Sequence, residues 1–104
     1  MKALRFVGSS LRDLKRFPDD ARREAGFELD AVQRGLMPSD FKPMFGIGAG
    51  VYEIRIHVQG AWRVIYVARR SDAVYVLHAF EKRSQKTRQA DLEMAAQRYH
   101  QIGD

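Results

Sequence analysis

Residues 51–80 read VYEIRIHVQGAWRVIYVARRSDAVYVLHAF, and the fold turns on how this run is divided. It holds stretches rich in Val, Ile, Tyr and Trp, separated by short polar or glycine-containing breaks. Runs of β-branched and aromatic residues bounded by turn formers predict strands. Connections this short join antiparallel neighbours. The division is Val51–Val58, Ala61–Arg69 and Ala73–Phe80, a three-strand antiparallel meander.

The first join, Val58-Gln-Gly60, sets the register. A three-residue loop with Gly60 in the left-handed position places Ile56 opposite Trp62, Ile54 opposite Val64 and Tyr52 opposite Tyr66. All of these share one face, which makes a good core face. A two-residue loop would mix apolar with polar residues across the hairpin. The preferred register sets Arg55 directly opposite Arg63 on the other face, where like charges destabilise a sheet. Two readings stand. Nearby Glu53 partly offsets the repulsion, or the two guanidiniums await a bound anion. The planar fork of guanidinium suits phosphate because it donates two parallel hydrogen bonds.

Working outward, Lys2–Val7 reads as a short opening strand. Ser9 or Ser10 is placed to cap a helix carrying Leu11, Leu14 and Phe17 on one side. Pro18 fits the first turn of a second helix, with Asp19 and Asp20 complementing its dipole. Ala21, Ala25, Leu29 and Val32 give that helix its apolar stripe, and Gly35 ends it. Residues 36–50 read as a loop. Its glycine-rich end, FGIGAG, has no Gly-Lys-Ser/Thr and precedes a strand, so a flexible lead-in to the sheet is favoured over a phosphate-binding loop. After the meander, Thr87 is placed to cap a last helix with Leu92, Ala95, Ala96, Tyr99 and Ile102 on its buried side. The order is strand, two helices, antiparallel three-strand meander, C-terminal helix. That is an α+β layer, with residues 1–104 as a single domain.

The chain of 104 residues carries a formal net charge of +5, and 45% of it is hydrophobic. A core is therefore available, and an anionic partner, most often nucleic acid, is favoured. No cysteine is present, which removes disulfides, thiolate nucleophiles and cysteine-based zinc sites. His57, His78 and His100 show no metal-ligand spacing, so neither a metal nor a cofactor is expected. No apolar run is long enough for a membrane span, and MKALRFVGSSL lacks the apolar stretch of a secretory signal. A cytoplasmic protein with no membrane partner is the expectation.

Much of the positive charge is local. Residues 78–91, HAFEKRSQKTRQAD, place Lys82, Arg83, Lys86 and Arg88 between the last strand and the last helix. The plain reading is solvated surface. The alternative is that this loop, the Arg55–Arg63 pair and the amides of the helix start converge on one concave anion-binding face.

The stretch from Gly50 to Thr87 resembles the RelE/HigB superfamily of bacterial toxins. It is most similar to the branch of phage-derived RelE-like proteins paired with helix-turn-helix antitoxins. Gly50-Val-Tyr-Glu-Ile-Arg55, Trp62-Arg-Val-Ile-Tyr66, and His78-Ala-Phe80 followed by Lys82 and Lys86-Thr87 carry the likeness, and the element order fits throughout. The resemblance implies a type II toxin, an mRNA interferase that enters the ribosome, cuts messenger RNA and so inhibits translation, without a metal. The 2′-OH attacks its own phosphodiester, so the protein must orient that hydroxyl, stabilise charge on phosphorus and help the 5′ oxygen leave. By this likeness Arg55, Arg63, Lys82 and Arg83 are the expected catalytic residues. The loop cations Lys86 and Arg88, with His57 on the face of Arg55 by strand parity, are the expected RNA contacts, although a surface histidine at a hairpin end is the plainer reading of His57. Several relatives place a tyrosine or histidine soon after the basic segment, whereas Ser84-Gln-Lys-Thr-Arg-Gln has neither. His78, in an apolar strand, and Tyr99, on the apolar helix stripe, read as packed residues. The competing reading is a noncatalytic basic module that occupies RNA or the ribosome, or a relative that has lost toxicity.

Overall fold

A computed structural model describes residues 1–68 and 72–103. The order is β1 (Ala3–Phe6), α1 (Ser10–Lys15), α2 (Asp19–Gln33), β2 (Phe41–Pro43), β3 (Val51–Ile56), β4 (Trp62–Val67), β5 (Ala73–Glu81) and α3 (Gln89–Gln101). The strands form one five-stranded sheet in the order β1-β5-β4-β3-β2. The expected end of the middle meander strand at Arg69 lies outside the described residues.

The hairpin register is the one the side chains favoured. Ile56 faces Trp62, Ile54 faces Val64, Tyr52 faces Tyr66 and Arg55 faces Arg63. The connection differs from the expected single left-handed glycine, because Gln59 (φ 53°) and Gly60 (φ 128°) both take positive φ. Trp62 Nε1 closes this loop by donating to Val58 O at 3.0 Å. Pairing ends at Ile56–Trp62, so the connection is longer than the expected three residues and the strand stops two residues short of the expected Val58.

Two more strands flank the meander. β1 runs parallel to β5, pairing Ala3–Phe6 with Ala73–Val76. β2 pairs antiparallel with β3, so the expected 36–50 loop contains a strand. Its three residues, Phe41-Lys-Pro43, are all exposed and show no alternation, so periodicity carries no signal there. Lys42 and Pro43 also suit an outermost strand, since they discourage further pairing. The glycine-rich segment that follows is packed: a side chain at Gly48 would lie 2.5 Å from the ring of Tyr99.

The sheet has helices on both faces. Ile54, Ile56, Val64, Tyr66, Val74, Val76 and Ala79 pack against Leu14, Phe17, Ala21, Ala25, Leu29 and Val32 of the first two helices. Full burial of an aliphatic chain such as Ile54 or Ile56 contributes about 1.5–3 kcal/mol over exposure. Leu11, expected on the buried side of α1, is 39% exposed, because only two turns of helix are present to face the sheet. α2 ends as expected at Gly35 (φ 85°), whose N–H bonds Val32 O, while Leu36 N–H reaches back to Ala31 O.

Val51, Ile65, Val67, Leu77 and Phe80 pack on the other face with Ala95 of α3 and, partly buried, Tyr99 and Ile102. The register shifts between Ile65 and Tyr66, which leaves Leu77 as an extra residue in β5. Arg98, 7% exposed, donates to the freed Leu77 O at 2.9 Å and to Ser9 Oγ at 2.8 Å. It lies so close to Gly8 (φ 58°) that an added Cβ would sit 2.7 Å from its Nε. One arginine thus ties α3, the bulge and the β1–α1 turn together.

Neither expected serine or threonine cap donates or accepts as anticipated. Ser9 precedes α1, but its hydroxyl bonds Asp13 Oδ2 rather than an amide. Arg88, not Thr87, occupies the cap position of α3, and the Thr87 hydroxyl is turned to Glu53.

Candidate functional site

Alternation along β3 and β4 points Val51, Glu53, Arg55, Arg63, Ile65 and Val67 to the α3 side of the sheet. The apolar members lie under α3. At the other end of the same strands the face turns charged.

Arg63 is 5% exposed and Glu53 2% exposed. Glu53 Oε1 lies 3.7 Å from Arg63 Nε and 4.0 Å from Arg55 Nε, while its Oε2 accepts the Thr87 hydroxyl at 3.3 Å. The carboxylate therefore stands between the two guanidiniums and tethers the end of the basic loop to them. Arg63 Nη1 donates to Trp62 O at 3.0 Å, but its buried Nε has no hydrogen-bond partner. Burial pushes the Arg63 guanidinium below its usual pKa. Glu53 opposes that shift and Arg55 adds to it. Arg55 also faces Asp40 at 3.8 Å, and the same carboxylate meets His57 Nε2 at 3.2 Å. Asp40 was not anticipated, because it comes from an irregular segment before β2 where no spacing marks it.

Of the basic loop, Lys82 and Arg83 line one open hollow with Arg63, about 410 Å³ in volume. Lys82 is held there by its backbone N–H, given to Ala61 O at 2.8 Å. Arg83 pairs with Glu81 at 2.9 Å. Lys86 is exposed at the loop tip, its carbonyl accepting the Ser84 hydroxyl at 2.6 Å. Arg88 turns to Asp91 at 3.2 Å. The fold thus brings Arg63, Lys82 and Arg83 together, with Arg55 joined through Glu53. It leaves His57 beside Asp40, Lys86 in solvent and Arg88 paired with Asp91.

His78 is 8% exposed and stacks on Phe80, with ring centroids 4.9 Å apart. Its Nε2 bonds Asp91 Oδ1 at 2.8 Å, and Nδ1 is buried without a hydrogen-bond partner. Sequence reading placed His78 as a packed residue and did not single out Asp91, which no spacing links to it. Tyr99 packs partly buried, its hydroxyl directed to Ala49 O at 3.5 Å. Among the described residues, no group of three or more His, Asp or Glu is arranged to hold a metal ion, and no helix is long and apolar enough to cross a membrane.

A strand and two helices, then an antiparallel meander and a closing helix, with cations gathered at one end of the sheet, define an α+β domain of the RelE type. The chain belongs to the family described as Phage derived protein Gp49-like (DUF891), a RelE-like toxin family, which matches residues 12–100. Its fold is shared by a chain of the crystal structure of the RelB-RelE antitoxin-toxin complex from Methanococcus jannaschii. That match has a TM-score of 0.54 and 19% identity, covering 74% of this chain and 88% of the other. No curated protein matches the chain. The resemblance to phage-derived RelE-like proteins read from residues 50–87 is thereby borne out.

Proposed function

We propose that this chain is the toxin of a type II toxin–antitoxin pair, acting in the cytoplasm as a metal-independent endoribonuclease that cuts messenger RNA on the ribosome. The family and the fold support the toxin assignment. The observation that carries the RNA chemistry is the cross-strand Arg55–Arg63 pair at the end of the sheet, with Lys82 and Arg83 beside Arg63. A phosphodiester seated there meets preorganised donors, which act most strongly in a desolvated site. In the reaction the 2′ oxygen bonds to phosphorus as its proton leaves. The bond to the 5′ oxygen breaks and that oxygen gains a proton, giving a cyclic phosphate and a free 5′ hydroxyl. Arg63 and Arg55 hold the phosphate oxygens and offset the added charge. Lys82 and Arg83, which line the hollow with Arg63, add to the charge around the phosphate, and Lys86, Arg88 and His57 engage the RNA backbone. The partner is a helix-turn-helix antitoxin that covers this cationic end.

A second reading is favoured by Glu53. Its carboxylate already neutralises the two arginines, and an arginine pair satisfied in this way fits a noncatalytic module that occupies RNA or the ribosome. Mapping messenger RNA 5′ ends after brief induction separates the two. New in-frame cuts that vanish with Arg63→Ala support cleavage. Stalled translation on intact messages refutes it and supports occupancy. Loss of one preorganised charged donor typically lowers the rate about 10²–10³-fold.

A further inference from the structure

Beyond Val76, β5 has no strand on its outer side among the described residues, because β1 ends at Phe6. Lys82 N–H is given to Ala61 O across the hairpin. By the alternation of an antiparallel ladder, the peptide groups of Phe80 also point to β4, and those of Ala79 and Glu81 point outward. A groove of about 400 Å³ follows this free edge. Phe17, Trp62, His78 and Phe80 line it together with Arg16, Arg83 and Arg88 and the carboxylates Asp13, Glu81 and Asp91. Arg83 also lines the hollow that holds Arg63, so the two spaces share that side chain.

We propose that the groove along the free edge of β5 is a nucleobase subsite, which receives a base next to the phosphate bound at Arg63. The inference rests on the RNA-binding reading above and adds the element that selects sequence. Three observations point to a base. Trp62, half-buried where Phe17 and Phe80 are buried, offers a flat ring for stacking among the polar groups of the groove. The edge presents peptide N–H and C=O groups side by side, the pattern needed to read the edge of an unpaired base. The groove shares Arg83 with the phosphate hollow, which puts a base in the one beside a phosphate in the other. Arg16 is exposed and forms no ion pair among the described residues, which leaves it available to the base or the next phosphate.

The chain has one tryptophan, so the emission of Trp62 reports the groove directly. The probes are end-labelled RNA tetranucleotides, 2′-O-methylated so that they bind without being cut. They should change Trp62 emission on binding, and one base should be preferred. Arg16→Glu, at an exposed position that leaves the fold intact, should weaken the preferred tetranucleotide about tenfold, as expected for one charge-assisted contact, and level the preference. Arg63→Ala should weaken all tetranucleotides alike and keep the preference. Binding seen by the label with Trp62 unchanged, or with the preference intact in Arg16→Glu, overturns the subsite and leaves the RNA-binding face standing. Failure of every tetranucleotide to bind overturns both. A Trp62 change with slowed exchange of the Ala79 and Glu81 amides, caused by the antitoxin and by no tetranucleotide, makes the edge a peptide-pairing surface and refutes the base.

Discussion

Replacing Glu53 with glutamine tests whether its carboxylate holds the two arginines in the ligand-free protein. At the 3.7 Å separating Glu53 Oε1 from Arg63 Nε, the gross attraction at an effective dielectric near 20 is about 4–5 kcal/mol. Several effects reduce the net. Burial already disfavours the Arg63 cation, Arg55 repels it, and Nε lies beyond hydrogen-bond distance. Arg63→Met strands a buried carboxylate, which usually costs about 3–5 kcal/mol. Here Arg55 and Thr87 remain beside that carboxylate, so about 2 kcal/mol is expected for either Glu53→Gln or Arg63→Met. The double variant should recover much of the loss, with a coupling energy of about 1–3 kcal/mol. Denaturant unfolding at low salt gives all four corners of the cycle. Thermal melting should move roughly 4–8 °C per kcal/mol in a domain of this size. Losses that add within about 0.3–0.5 kcal/mol would refute the clamp, since that is the scatter of independent sites. Glu53→Gln should also tighten inorganic phosphate binding to the Arg55–Arg63 face, because the internal competitor is gone.

Two further outcomes are expected. Lys82→Ala combined with Arg83→Ala should weaken RNA or ribosome binding and flatten its dependence on salt, each lost phosphate contact lowering the log–log slope by about 0.7–0.9; an unchanged slope assigns the loop to plain solvated surface. Burial raises the Tyr66 phenol above its usual pKa, so the unfolded chain releases this proton first. Stability conferred by that group is present below pH about 10 and falls as pH rises beyond it, by at most about 1.4 kcal/mol per pH unit. Urea midpoints across that range should decline less steeply in Tyr66→Phe, and parallel profiles for the two proteins would show that Tyr66 does not contribute.

Where side chains repeat with a strong period, sequence was sufficient. The Tyr52–Ile56 and Trp62–Tyr66 alternation determined the hairpin register, and it delivered Arg55 opposite Arg63 without any structural information. The stripe from Ala21 to Val32 and the glycine at position 35 did the same for α2. What escaped was set by distant contacts. Phe41–Pro43 becomes a strand because β3 offers it a partner, not because its own residues alternate. Thr87 forgoes a helix cap because Glu53, far away in the chain, offers its hydroxyl a buried acceptor. The Glu53 carboxylate was visible as a possible offset to the arginines, but its burial and its link to the basic loop were not. The His78–Asp91 pair needed the docking of α3 on β5 to become apparent.

The position of α3 accounts for where function concentrates on this sheet. The same face of β3 and β4 runs from Val51 and Val67 at one end to Arg55 and Arg63 at the other. The helix covers the apolar end, and Arg98 fixes its place by holding the bulged Leu77 carbonyl. Beyond the start of α3 no helix among the described residues covers this face, which is finished by the loop carrying Lys82 to Arg88. Covering charge at that end with apolar helix would strand the guanidiniums without partners. Leaving them open places cations side by side, a cost relieved in part by Glu53. An anionic group entering the hollow offers the same relief from outside. The buried Nε of Arg63, which Glu53 approaches without reaching hydrogen-bond distance, is the atom that stands to gain most from that exchange.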